Sequence, residues 1–88
     1  MNDARDTQVQ QLLLMQEQLL AHAQMLRDQA AAAKLAAAGS RRRGRRRRLS
    51  ARADELHAQA EQADLQRGMI RSQLRDIRRT AQSKAALR

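Results

Sequence analysis

A run of arginines divides the chain into two segments of similar length. Residues 40–48 read SRRRGRRRR, which places seven arginines in nine residues with no acidic side chain among them. Gly39 and Gly44 interrupt the run, and a glycine weakens a helix by about 1 kcal/mol relative to alanine. We therefore predict that residues 39–49 form a glycine- and arginine-rich basic loop between two helical segments.

The segment before this loop carries the heptad pattern of an amphipathic helix. Leu12, Leu19 and Leu26 are seven residues apart, which keeps their side chains on one helical face. Leu13 and Leu20 widen that apolar face. The pattern predicts helix 1 over residues 1–38, with Gly39 as its stop.

The segment after the loop repeats the pattern. One series of mostly apolar residues at intervals of seven consists of Leu49, Leu56, Ala63, Ile70 and Ile77. A second series lies between its members and consists of Ala53, Ala60, Arg67, Leu74 and Ala81. Because Ser50 is a favourable N-cap residue, we predict helix 2 over residues 50–88.

Two such helices and a short loop predict an all-α fold, an antiparallel two-helix hairpin packed like a coiled coil. If the numbers of facing residues add up to about 86, Leu26 meets Ala60 and Leu12 meets Leu74. Small residues then pair near the loop and large ones pair at the open end. The chain has no aromatic residue and no cysteine, so its core is small and we expect it to join a larger bundle or oligomer.

One continuous helix is the competing architecture. The basic run precedes a leucine ladder that starts at Leu49, which is the arrangement of a basic-region leucine zipper. Gly39 and Gly44 oppose a continuous recognition helix, and no asparagine or similar base-reading residue lies among the arginines. These features favour the hairpin.

The charge of the chain indicates an anionic partner. Eighteen lysines and arginines against nine acids give a net charge of +9, of which residues 39–48 supply +7. Guanidinium groups form paired hydrogen bonds with phosphate oxygens, so the loop suits a nucleic-acid backbone. The less specific interpretation is a solvated linker, which such charged runs often are.

Helix 2 carries a second basic feature, the arginine stripe. Arg67, Arg71, Arg75, Arg78 and Arg79 share about one third of the helix circumference. Like charges four residues apart destabilise a helix slightly, which indicates that the stripe serves a partner. The structural alternative is an arginine rim whose methylene groups cover the apolar face.

Other chemistry finds little support in the sequence. One face of helix 2 carries Asp54, His57, Glu61 and Asp64, and the hairpin register places His22 of helix 1 near it. A metal ion could bind such a group, but we interpret it as a solvated acidic face. We expect no metal, no cofactor and no enzymatic activity, since no nucleophile motif and no phosphate-cradling loop is present. No signal peptide and no membrane span is expected, so we place the protein in the cytoplasm or inside a virion.

We therefore expect a structural protein that binds nucleic acid through its phosphate backbone without sequence specificity, such as a virion-internal or nucleoid component. The alternative is a coiled-coil subunit whose basic tip docks on an acidic protein or an anionic lipid surface. The candidate nucleic-acid-binding residues are Arg41, Arg42, Arg43, Arg45, Arg46, Arg47, Arg48, Arg71, Arg75, Arg78 and Arg79. The candidate core and oligomer residues are Leu12, Leu13, Leu19, Leu20, Leu26, Leu56, Ile70, Leu74 and Ile77.

Overall fold

The chain folds into a hairpin of two long helices. A computed structural model describes residues 3–86, with helix α1 over Asp3–Gly39 and helix α2 over Arg43–Ala86. Residues 40–42 connect them, and no strand occurs within 3–86. The hairpin is a rod whose principal dimensions are 70 × 17 × 12 Å. The predicted all-α hairpin is confirmed, and the continuous helix is excluded.

Most of the residues that are buried between the helices are alanines. The buried residues are Ala23, Leu26, Ala30, Ala37, Ala53, Leu56, Ala60, Ala63 and Ile70. Leu26 and Ala60 lie in one apolar cluster, in agreement with the predicted register, and Ala33 packs against this cluster. Small side chains let two helices approach closely, so even a thin hairpin excludes water along this part of its length.

The bulky residues toward the open end are less well covered. The half-buried residues of this part are Leu12, Leu19, Leu74 and Ile77. Leu13 and Leu20 lie outside the contact and retain 47% and 37% of their accessible surface. Two helices alone leave these aliphatic side chains in contact with water.

The predicted boundaries of the loop are wrong. Instead of residues 39–49, the connection comprises residues 40–42, and α2 begins seven residues before the predicted start at residue 50. Ser50 therefore lies inside α2 and does not cap it. Arginine is a good helix former, so the arginines extend the helix despite the glycine at position 44.

The other predicted helix ends agree more closely. Gly39 is the last residue of α1, but its φ is not positive, so it ends the helix without the left-handed conformation expected of a glycine stop. Residues 1–2 and 87–88, which the sequence assigned to helix 1 and helix 2, lie outside the described residues. No helix within 3–86 combines the length and the apolar character that crossing a bilayer requires.

Candidate nucleic-acid interface

The turn between the helices is held by a few hydrogen bonds. The amide of Ser40 donates to the carbonyl of Ala37 at 3.2 Å, and the amide of Arg46 donates to the carbonyl of Arg42 at 2.9 Å, which closes the first turn of α2. The amide of Arg42 donates to the Ser40 hydroxyl at 3.3 Å. The guanidinium of Arg46 reaches back to the Ser40 carbonyl at 2.9 Å. One arginine of the run therefore stabilises the turn.

We call residues 40–48 the arginine tip. All seven of its arginines are exposed. The guanidinium groups of these seven arginines, except that of Arg46, make no hydrogen bond or ion pair within residues 3–86. Their donors are therefore available to a ligand.

The positive charge of the arginine tip is not balanced by acidic residues near it in the sequence. The first turn of α2 contains no acidic residue, although the helix dipole is positive there and favours acids. In the sequence, Asp28 and Asp54 are the acids nearest to the tip, and the residues between them contain nine bases. These cations repel one another, and an anion placed among them would reduce that repulsion.

The structure divides the predicted arginine stripe. Arg71, Arg75, Arg78 and Arg79 are exposed and make no ion pair within residues 3–86. Arg67 is different, because its side chain is only 21% exposed and its guanidinium contacts Asp64 at 3.1 Å. We keep the name arginine stripe for the four exposed residues, which are also the ones predicted to bind nucleic acid.

Asp64 joins the two helices through a pair of arginines. It accepts hydrogen bonds from Arg67 on its own helix and from Arg27 on α1. The hydrogen bond from Arg27 is the main cause that lowers the pKa of the Asp64 carboxyl below its usual value, and the Arg67 guanidinium adds to it. The Nε of Arg67 is buried and has no partner in the described part of the chain. Arg67 therefore serves the fold.

One half of the Asp64 contacts is local. Asp64 and Arg67 are opposite charges three residues apart on a helix, as are Arg52 and Glu55, which are in contact at 3.5 Å. The contact of Asp64 with Arg27 was missed, although both residues flank the apolar series and flanking positions meet in antiparallel pairs. A third pair of this spacing, Asp76 and Arg79, forms no ion pair in the described residues; the Asp76 carbonyl accepts a hydrogen bond from the Thr80 hydroxyl at 2.9 Å.

The acidic face does not gather into a ligand set. No group of three histidine or carboxylate side chains within residues 3–86 comes close enough to hold a metal ion. Asp64 instead contacts arginines, and His22 lines a different surface. That surface is an open groove between the helices, formed by Met15, Gln18, Leu19, His22, Gln66, Met69, Ile70 and Gln73. These side chains carry thioether, aliphatic and amide groups with a single imidazole.

Comparison of the chain with protein-family models, with curated proteins and with solved structures finds no match.

Proposed function

We propose that this protein is a non-enzymatic structural component that binds nucleic acid through the phosphate backbone, using its arginine tip. The observation that supports this most is a set of exposed guanidinium groups without protein partners at the positive end of α2. Phosphates supply both the charge and the paired acceptors that such groups require. Each phosphate contacted would also relieve repulsion within the tip.

The composition of the arginine tip favours recognition without sequence specificity. Residues 40–48 contain only arginine, glycine and serine, so no residue suited to reading adenine edges is present. The whole chain lacks aromatic residues, which argues against binding single strands by base stacking. Duplex nucleic acid held by its backbone is therefore the ligand that we favour.

We further propose that the chain associates with other subunits through its open end. Leu13, Leu14 and Leu20 lie within two turns of α1 and expose 47%, 54% and 37% of their surface, and Met15 in the same stretch exposes 48%. Bulky apolar residues exposed around one short stretch of a rod with so little core indicate contact with other subunits. The arginine tip would then point outward from a bundle. Such an assembly suits a nucleoid or the interior of a virion.

Nucleic-acid binding is tested by native purification and size exclusion. Since the protein lacks aromatic residues, absorbance at 260 nm in its peak reports bound nucleic acid. We expect co-elution at low salt and its loss as salt rises. A variant with arginines 41–43 and 45–48 changed to glutamine should elute with much less of this absorbance, while the matched lysine variant should keep most of it. Wild-type protein that carries no nucleic acid at low salt and binds no added duplex would refute the proposal and favour an acidic protein or lipid partner.

Association is tested by light scattering at a series of protein concentrations. The double variant Leu13→Gln, Leu14→Gln should have a lower mass than the wild type at equal concentration. The matched control is Leu35→Gln, Leu65→Gln, which changes two leucines that are also exposed but lie outside residues 13–20. Equal effects of the two double variants would show that the open end has no special role.

A further inference from the structure

Apart from Arg52 and Arg67, which pair with acids, the arginines of α2 form two groups, and a band of carboxylates separates them. The first group belongs to the arginine tip, and the second is the arginine stripe. Between them, residues 54–66 contain four carboxylates and no lysine or arginine. These acids, which we call the acidic band, are Asp54, Glu55, Glu61 and Asp64.

The two basic groups are too far apart to act as one. Arg48 and Arg71 are separated by 23 residues of continuous helix, which is ~35 Å at a rise of 1.5 Å per residue. The electrostatic screening length is ~10 Å at 0.1 M salt. The tip and the stripe therefore attract anions independently of each other.

The acidic band also opposes a single duplex that lies along the rod. Residues seven apart share one face of α2, and the series through positions 47, 54, 61, 68 and 75 reads Arg, Asp, Glu, Gly, Arg. A straight duplex that touched both arginines of this face would bring its phosphates against the two carboxylates between them. Asp54 and Glu61 are exposed and make no ion pair within residues 3–86, so nothing neutralises them.

The two groups also differ in the range of directions that they cover. The arginine tip lies at the end of the rod, where Arg45, Arg46, Arg47 and Arg48 follow one another at about 100° around the helix. The arginine stripe occupies one side of α2 near the open end. A segment bound at the end of the rod and a segment bound at its side are therefore different segments.

We propose that one hairpin bridges two separate duplex segments, one at the arginine tip and one at the arginine stripe, with the acidic band holding them apart. The inference depends on the proposed binding of nucleic acid by the tip. It makes the arginine stripe the second binding site of the chain. The rod then acts as a spacer of fixed length between two backbones.

A capture experiment tests the bridge with the full chain. A biotinylated duplex of about 20 base pairs is fixed on beads, protein is added, and capture of a second, fluorescent duplex is measured at about 0.1 M salt. We expect the wild type, and the Leu13→Gln, Leu14→Gln chain in which association is weakened, to capture the second duplex. In that weakly associating chain, changing Arg71, Arg75, Arg78 and Arg79 to glutamine should reduce the affinity for the first duplex by less than ~10-fold but should abolish capture. Its lysine counterpart should retain capture, and ellipticity at 222 nm checks that both variants fold.

A second variant distinguishes two sites on one chain from pairing between chains. If the stripe of one copy instead bound the acidic band of another, changing Asp54 and Glu61 to Asn and Gln would abolish capture. Our inference predicts that this variant captures as well as the wild type. Capture that survives in the glutamine stripe variant would overturn the inference, because oligomers joined elsewhere would then supply the second site. Wild-type protein that binds one duplex and never captures another would overturn it as well, while leaving the function of the tip in place.

Discussion

The middle of α2 and its first two turns are parts of one helix that form for different reasons. Between Ala53 and Ile70 the helix buries one residue in every three or four against α1, and an arginine pair on Asp64 fixes its position. Over residues 43–48 no side chain is buried. There the helix depends on the short turn, on the good helix propensity of arginine and on its continuity with the packed middle.

This difference separates the part of the rod that stabilises the hairpin from the part to which we assign the proposed binding. The packed middle contributes the burial that holds the hairpin together, and it leaves few groups free for a ligand. The arginine tip contributes almost no burial and carries repulsive charges. A region whose own interactions oppose its structure is one that a ligand of opposite charge would stabilise.

The largest effect on stability should come from the packed middle. Leu56 is 3% exposed, and Leu56→Ala removes aliphatic volume that its alanine neighbours cannot replace. We expect a loss of about 2 kcal/mol or more and a melting temperature lower by ~10 °C or more, measured by circular dichroism at fixed protein concentration. Leu65→Ala is the control, because Leu65 is 65% exposed. Similar losses in both variants would contradict the assignment of the core.

We expect an intermediate loss of stability when the contacts of Asp64 with its two arginines are removed. Asp64→Asn should lower the melting temperature by more than Asp28→Asn, since only Asp64 contacts two arginines. The pKa of Asp64 is lowered in the folded chain, so the unfolded chain binds a proton first as the pH falls through the ordinary pKa of an aspartate, about 3.9. The stabilisation is therefore present above that value and is lost below it.

Thermal melts at a series of pH values test this linkage. The wild type should lose stability between pH 5 and pH 2, while Asp64→Asn should lose less over the same range. An identical pH dependence in the two proteins would show that the contacts of Asp64 do not favour its ionised form.

The smallest changes in stability are expected from replacing the two glycines of α2 by alanine, and the two gains should differ. A methyl group at Gly68 or at Gly44 meets no atom within 4 Å, so alanine fits at both positions. Gly68→Ala lies in the helix interior and should raise the stability by about 0.5–1 kcal/mol. Gly44→Ala should raise it less, because the arginine tip unfolds locally before the packed middle does. A larger gain at Gly44 would show that the tip is as firmly held as the middle.

The hairpin could be predicted from the sequence because its packing follows a period. Leucines and alanines at intervals of seven define the contact faces, and the facing pairs near Leu26 follow from the two series. The boundary of α2 could not be predicted in the same way. The glycines and the repulsion between arginines argue locally for a loop, while helix propensity and continuity with a long packed helix favour extension, and the second influence is the stronger one.

The candidate site, like the fold, could be predicted only in part from the sequence. That the arginines are exposed follows from their number and spacing, but the special position of Arg67 does not. Arg67 occupies a place in the apolar series, and only the approach of Arg27 from the other helix brings Asp64 into a cluster with both arginines. Contacts between flanking positions depend on the angle and separation of the helices, which a period alone does not determine.

The most direct test of the central claim is the salt dependence of duplex binding by the wild type and by the variant with arginines 41–43 and 45–48 changed to glutamine. If the tip neutralises five to seven phosphates, the wild type should show a slope of about −4.5 to −6 in a plot of log affinity against log salt. The variant should bind far more weakly, with a slope reduced by a similar amount. Equal slopes and affinities in the two proteins would show that the arginine tip does not bind the backbone.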